Sequence, residues 1–223
     1  MNFRGKKLSP FLISVTAIIA LTAMICVLVP ICAAGSITFE TSYYFVCYAI
    51  KDNSVSAGSI SGAVSNYGGA GYILERGNEF YITVSCYYEE KDAQTVCESL
   101  KKRDLECSVL AVETGEYSLR TSANAELYTG NLNTLNSLSV IAFGCANSLD
   151  LGDCDQTRAK TVISDIESGL KGLLNANRDN CFSSEIRRLI AICGDISEGY
   201  VYSKDLRKLQ IAIADTVINI KLY

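Results

Sequence analysis

Histidine and tryptophan are missing from this 223-residue chain, and it holds only two prolines. Without histidine there is no Ser-His-Asp or Cys-His catalytic set, no Cys₂His₂ zinc site and no histidine pH switch. Basic charge is also scarce. Residues 35–223 carry 17 Lys and Arg against 24 Asp and Glu, an acidic balance unsuited to the phosphate backbone of nucleic acid. No CxxC pair occurs, which removes the thioredoxin-type site and the zinc ribbon. At 49% apolar residues the chain is nonetheless well supplied for a folded core.

What basic charge there is clusters at one end. Arg4, Lys6 and Lys7 precede a stretch without a single charge, running from Pro10 to Ala34. At 1.5 Å per residue such a stretch is long enough for a hydrocarbon core of about 30 Å. It exceeds the apolar region of a cleaved signal peptide, the competing reading suggested by Cys32-Ala33-Ala34. The expectation is a single-pass membrane anchor over residues 1–34, N-terminus in the cytoplasm and the bulk of the chain outside.

Beyond it, residues 42–50 are aromatic and β-branched and predict a strand. Asp52-Asn53-Ser54 offers an N-cap to a glycine- and serine-rich helix that ends at Gly68-Gly69. Gly71–Glu75 is a short strand, followed by a hairpin turn at Arg76-Gly77-Asn78. From Phe80 to Tyr87 the pattern alternates, with Phe80, Ile82, Val84 and Cys86 on one side and Tyr81, Thr83, Ser85 and Tyr87 on the other. Acidic Glu89-Glu90-Lys91-Asp92 opens a second helix, which closes on Lys101-Lys102-Arg103, and a last strand covers Glu106–Val112. The order β-α-β-β-α-β predicts a ferredoxin-like α+β module over residues 36–114, two helices on one face of a four-stranded antiparallel sheet.

The segments Tyr44-Phe45-Val46-Cys47-Tyr48-Ala49 and Tyr81-Ile82-Thr83-Val84-Ser85-Cys86-Tyr87, the latter followed by Lys91-Asp92-Ala93 and Leu100, resemble the two halves of a SPOR (sporulation-related repeat) domain. The resemblance covers about residues 42–113. Cys47 and Thr83 stand where that family usually has Gln, and Ala49 and Ser85 where it has Gly. It implies a module tethered outside the membrane that binds peptidoglycan glycan strands through its uncovered sheet face, in sporulation or cell division.

The residues themselves suggest such a face. If Val46, Tyr48 and Ile50 lie under the helices, Tyr43, Phe45 and Cys47 share the open side with Tyr81, Thr83, Ser85 and Tyr87. That side would present rings flanked by hydroxyls, suited to stacking on and hydrogen-bonding a sugar polymer. The candidate ligand-binding residues are therefore Tyr43, Phe45, Tyr81, Thr83, Ser85 and Tyr87. The alternative is that the C-terminal half covers this face and makes the same rings ordinary core.

That half, residues 116–223, has no proline and reads as about four amphipathic helices. Their stripes run through Tyr128–Leu149, Ala159–Leu174, Ile186–Ile196 and Leu206–Ile220. Ser183, Ser203 and either Asp153 or Asp155 are the expected caps, a better use for the Asp150-Asp153-Asp155 group than a calcium loop, whose spacing is missing. Eight cysteines follow the N-terminal segment, and several sit on apolar stripes, which predicts mostly buried thiols with at most two bridges.

No cofactor or metal is implied, and no acid-base or nucleophile set can be assembled. The sequence predicts a non-enzymatic, membrane-anchored cell-envelope protein whose partner is either peptidoglycan or, if the module is a scaffold, another envelope protein.

Overall fold

The computed structural model describes residues 35–119, 124–177 and 182–220. It contains two sheets and six helices. In chain order these are β1 (Gly35–Thr38), β2 (Ser42–Lys51), α1 (Ser54–Asn66), β3 (Tyr72–Arg76), β4 (Glu79–Tyr87), α2 (Glu90–Lys101), β5 (Ser108–Glu113), β6 (Glu116–Leu119), α3 (Ala125–Leu151), α4 (Gln156–Ala176), α5 (Phe182–Ser197) and α6 (Ser203–Asn219). This corrects the expected architecture in its first part. Among the described residues no helix is long and apolar enough to cross a membrane. The uncharged segment read as an anchor, residues 1–34, lies outside the described residues.

The four-stranded sheet has the order β3-β4-β2-β5, every neighbouring pair antiparallel. Helices α1 and α2 cross over one face. Asn53 caps α1, its side chain accepting from Ser56 N at 2.9 Å, and Ala57 and Val64 bury against Ile82. Helix α2 opens on Glu90 and Asp92, at the end where the backbone dipole favours acid, and seats Ala93 and Cys97 against Val46.

A second, two-stranded sheet was not expected from the sequence. β1 pairs with β6, Gly35 opposite Leu119 and Thr38 opposite Glu116. Thr114 joins this ribbon to the main sheet: its hydroxyl donates to Phe39 O at 2.6 Å and accepts from Thr41 N at 2.9 Å. The ribbon thus includes both sides of the boundary expected at residues 114–116.

The pairing of β2 with β4 slips twice, between Val46 and Cys47 and between Cys47 and Ala49. Val46 lies opposite Ser85 and Cys47 opposite Thr83, passing over Val84; Ala49 lies opposite Ile82, passing over Tyr48. An inserted residue reverses the side on which everything beyond it points. Ile50, expected under the helices, therefore pairs with Tyr81 and is 45% exposed. Cys86 leaves the helix-side core and packs with Phe45 in the larger one, while Tyr87 joins Val46, Ala93 and Cys97.

The larger core is continuous from the underside of the sheet through the helical half. Helix α6 is its centre. The expected stripe of Leu206, Leu209, Ile213 and Val217 is buried, and so are Gln210, Ile211, Ala212, Ala214 and Thr216, because α6 is covered by the sheet as well as by helices. Asp155, one of the two expected caps, accepts from Arg158 N at 2.7 Å at the head of α4. The other two expectations shift: Ser183 lies inside α5, and Ser203 is the first residue of α6, with Tyr202 as its cap.

Two glycines make a controlled comparison. Gly71 and Gly77 both have φ of +59°, which costs an L side chain about 1–2 kcal/mol. A Cβ on Gly77 would meet nothing within 4 Å, whereas one on Gly71 would lie 2.5 Å from the backbone oxygen of Ser61 in α1. Urea unfolding should show Gly77→Ala losing about 1 kcal/mol and Gly71→Ala at least about 2 kcal/mol more. Equal losses would mean that α1 does not rest on this turn.

Candidate functional site

Of the six residues expected on a glycan-binding face, four are buried. Tyr43 and Phe45 have no solvent exposure. The Tyr43 hydroxyl donates to Asn136 Oδ1 in α3 at 2.8 Å, and its ring lies 6.2 Å from that of Phe45 and 5.9 Å from that of Tyr88. Burial pushes the Tyr43 phenol pKa well up, so it stays a neutral donor. Thr83 is fully buried and spends its hydroxyl on Tyr72 O at 2.8 Å. Ser85, at the first slip in register, is 4% exposed, and its Oγ is buried with no partner.

Tyr81 and Tyr87 are half-buried. They lie six residues apart on β4, roughly 20 Å at the rise of a strand, and on opposite sides of the sheet because of the slip. Tyr81 donates to Glu79 at 2.6 Å, and Tyr87 meets the edge of Phe143 in α3 at 5.7 Å. The structure therefore does not assemble these six side chains into one open platform. The face is covered by α3 and α6, and the cover is hydrogen-bonded as well as apolar. Gln210 donates to Cys86 O at 3.0 Å, Tyr88 to Ser139 Oγ at 2.7 Å, and Ser139 to Gln210 O at 3.2 Å.

At the β3 end of the same interface lies a charged cluster. Tyr72 donates to Asp215 Oδ2 at 2.6 Å and accepts from Arg188 at 3.4 Å. Asn219 donates to the other Asp215 oxygen and accepts from Arg76 at 2.8 Å. Arg188 also reaches Thr216 and Glu185, both at 3.0 Å. Burial raises the pKa of Asp215, against the opposing pull of Tyr72, Arg188, Arg76 and Asn219. A polar hollow of about 460 Å³ adjoins it, lined by Ile73, Glu75, Gly77, Asp215 and Asn219. No local pattern announces this cluster, since Tyr72 and Asp215 are 143 residues apart in sequence.

The accessible concavity on the other side of the sheet is a cleft of about 530 Å³ between α1 and α2, lined by Tyr48, Val64, Tyr67, Val84, Leu100 and Leu105 with Arg103 at its edge. Its lining holds no carboxylate, thiol or amine; the polar side chains it offers are the hydroxyls of Tyr48 and Tyr67 and the Arg103 guanidinium.

The seven described cysteines are free thiols, six of them buried. Burial pushes Cys47, Cys107 and Cys193 to about 12 and Cys145 to about 11, and Cys86 higher still. At neutral pH these are protonated, weak nucleophiles. Among the described residues no group of three or more His, Cys, Asp or Glu is placed to hold a metal ion. No protein-family model matches the chain, and neither a curated protein nor a solved structure matches it.

Proposed function

We propose that this chain is a non-enzymatic protein–protein interaction scaffold of the cell envelope, in which a SPOR-like sheet serves as the seat of a helical bundle and not as a glycan-binding surface. The observation that carries this reading is the complete burial of Tyr43 and Phe45 beneath α3 and α6. A sheet that stacks on sugar rings needs those rings at the surface; here their area is already spent on the protein's own core. The protonated thiols and the absence of any carboxylate, thiol or amine from the cleft lining support a role in binding over one in catalysis. The envelope assignment rests on the sequence: Arg4, Lys6 and Lys7 precede an uncharged stretch, and all the acidic charge follows it.

Co-sedimentation of the full chain with purified peptidoglycan tests the reading. The protein is expected in the supernatant at every salt concentration tried. Sedimentation with the wall material that disappears in Tyr81→Ala or Tyr87→Ala would restore the glycan-binding alternative, since those two rings keep some exposure.

A further inference from the structure

Helix α3 ends on Gly152, whose φ of +76° reverses the chain. Asp153 N and Cys154 N both donate back to Ser148 O, at 2.9 and 3.2 Å. This folds Cys154 against the helix it has just left and brings its Sγ to 4.0 Å from Cys145 Sγ. Both thiols are buried, at 7% and 8% exposure. The next residue, Asp155, caps α4, so Cys154 occupies the corner where two helices of the bundle meet.

We propose that Cys145 and Cys154 form a redox couple that closes into a disulfide, stapling α3 to the turn that leads into α4. Several features suit this pair. The remaining gap is about 2 Å beyond a disulfide bond, and one partner lies in a turn that can shift. The turn is open to solvent, Leu151 being 76% exposed and Asp153 exposed, so its opening gives an oxidant access to Cys154. Closing a short loop of this kind restrains the unfolded chain.

The chemistry is thiol–disulfide exchange with a small-molecule disulfide such as oxidised glutathione. The Cys154 thiolate attacks one sulfur of the oxidant, breaks its S–S bond and expels one glutathione thiolate. The Cys145 thiolate then attacks the Cys154 sulfur of the mixed disulfide and expels the second. The protons from the two protein thiols end on the two glutathione molecules, which carry away the two electrons. Burial keeps Cys145 protonated and makes the second step slow, so hours of incubation are needed.

The full chain, with its ten cysteines, is incubated with reduced or oxidised glutathione, alkylated under denaturing conditions, digested and mapped by mass spectrometry. The expected result is a linked peptide pair containing Cys145 and Cys154 in the oxidised sample, both alkylated in the reduced one. The oxidised protein should melt about 5–10 °C higher, and Cys154→Ser should lose that difference. Recovery of both thiols in alkylated form after oxidation would overturn the proposal, as would either one linked to a different cysteine. A bond that forms without raising the melting temperature would overturn the staple. Because the readouts are a peptide map and a melting temperature, they stand whether or not the scaffold reading survives.

Discussion

Phe45→Ala should lower the melting temperature by about 10 °C. The ring has no exposure, lies between the sheet and the helical half, and shares its core with Tyr43, Cys86 and residues of α3 and α6. Truncating a buried Phe to Ala costs about 3–5 kcal/mol, the lost transfer energy plus the cavity left behind. In a chain of this size each kcal/mol is worth about 2–4 °C. The neighbouring Tyr43 cannot collapse into the gap without giving up its hydrogen bond to Asn136. If Phe45 instead stood on an open sheet, the same change would cost less than about 0.5 kcal/mol. Differential scanning calorimetry separates these outcomes, and an unchanged melting curve would show that the bundle does not pack on this face.

The second large effect is expected at Asp215. Its carboxylate is the acceptor that ties Tyr72 and Asn219 together, and through them Arg188 and Arg76. Arg76 already keeps its Nε and one NH2 group buried without a partner. Asp215→Ala leaves Arg76 of the sheet and Arg188 of the helical half facing one another across the interface without the anion between them, at a cost of about 3 kcal/mol. The wild type should also show a dependence on pH that Asp215→Asn lacks. Burial raises the folded-state pKa of Asp215 above its unfolded value, so the folded chain binds this proton more tightly. The contribution to stability is therefore greatest below the ordinary carboxylate range and declines as pH rises towards the raised folded value, then stays level. Chemical denaturation across that range, wild type minus Asp215→Asn, should show the difference falling with pH; a difference that rises would mean the arginines outweigh burial.

Local features were legible in the sequence, and long-range ones were not. The alternation from Phe80 to Tyr87 gave a strand because β-branched and aromatic side chains suit a pleated ladder, and the structure has β4 there. Glu90 and Asp92 marked the start of α2, and Asn53 the start of α1, because a cap is satisfied within four residues. The alternation rule then misled at Ile50, Cys86 and Tyr87, because it assumes an unbroken register and β2 and β4 slip twice. Period-two patterning fixes two faces of a strand but not which neighbour covers each, so both an open and a covered face fitted Tyr43 and Phe45. The clue to the cover was in α6, where Gln210-Ile211-Ala212-Ile213-Ala214 is uncharged on every side of the helix, as befits a helix buried all round. The β1–β6 ribbon was missed because Gly35-Ser36-Ile37-Thr38 is short and its partner lies about eighty residues away.

That ribbon determines how the molecule bears a pull. Gly35 and Leu119 sit side by side at one end of it, one ahead of the four-stranded sheet in the chain and the other after it. Tension drawn from ahead of Gly35 against the helical half acts across the ribbon as on a zip, opening its hydrogen bonds one pair at a time. Tyr117, whose hydroxyl donates to Val217 O at 2.8 Å, and buried Ile37, Phe39 and Leu119 hold the ribbon to the bundle core. Such a pull meets the β1–β6 pairing and the ribbon's contacts with the bundle core before it reaches the four-stranded sheet.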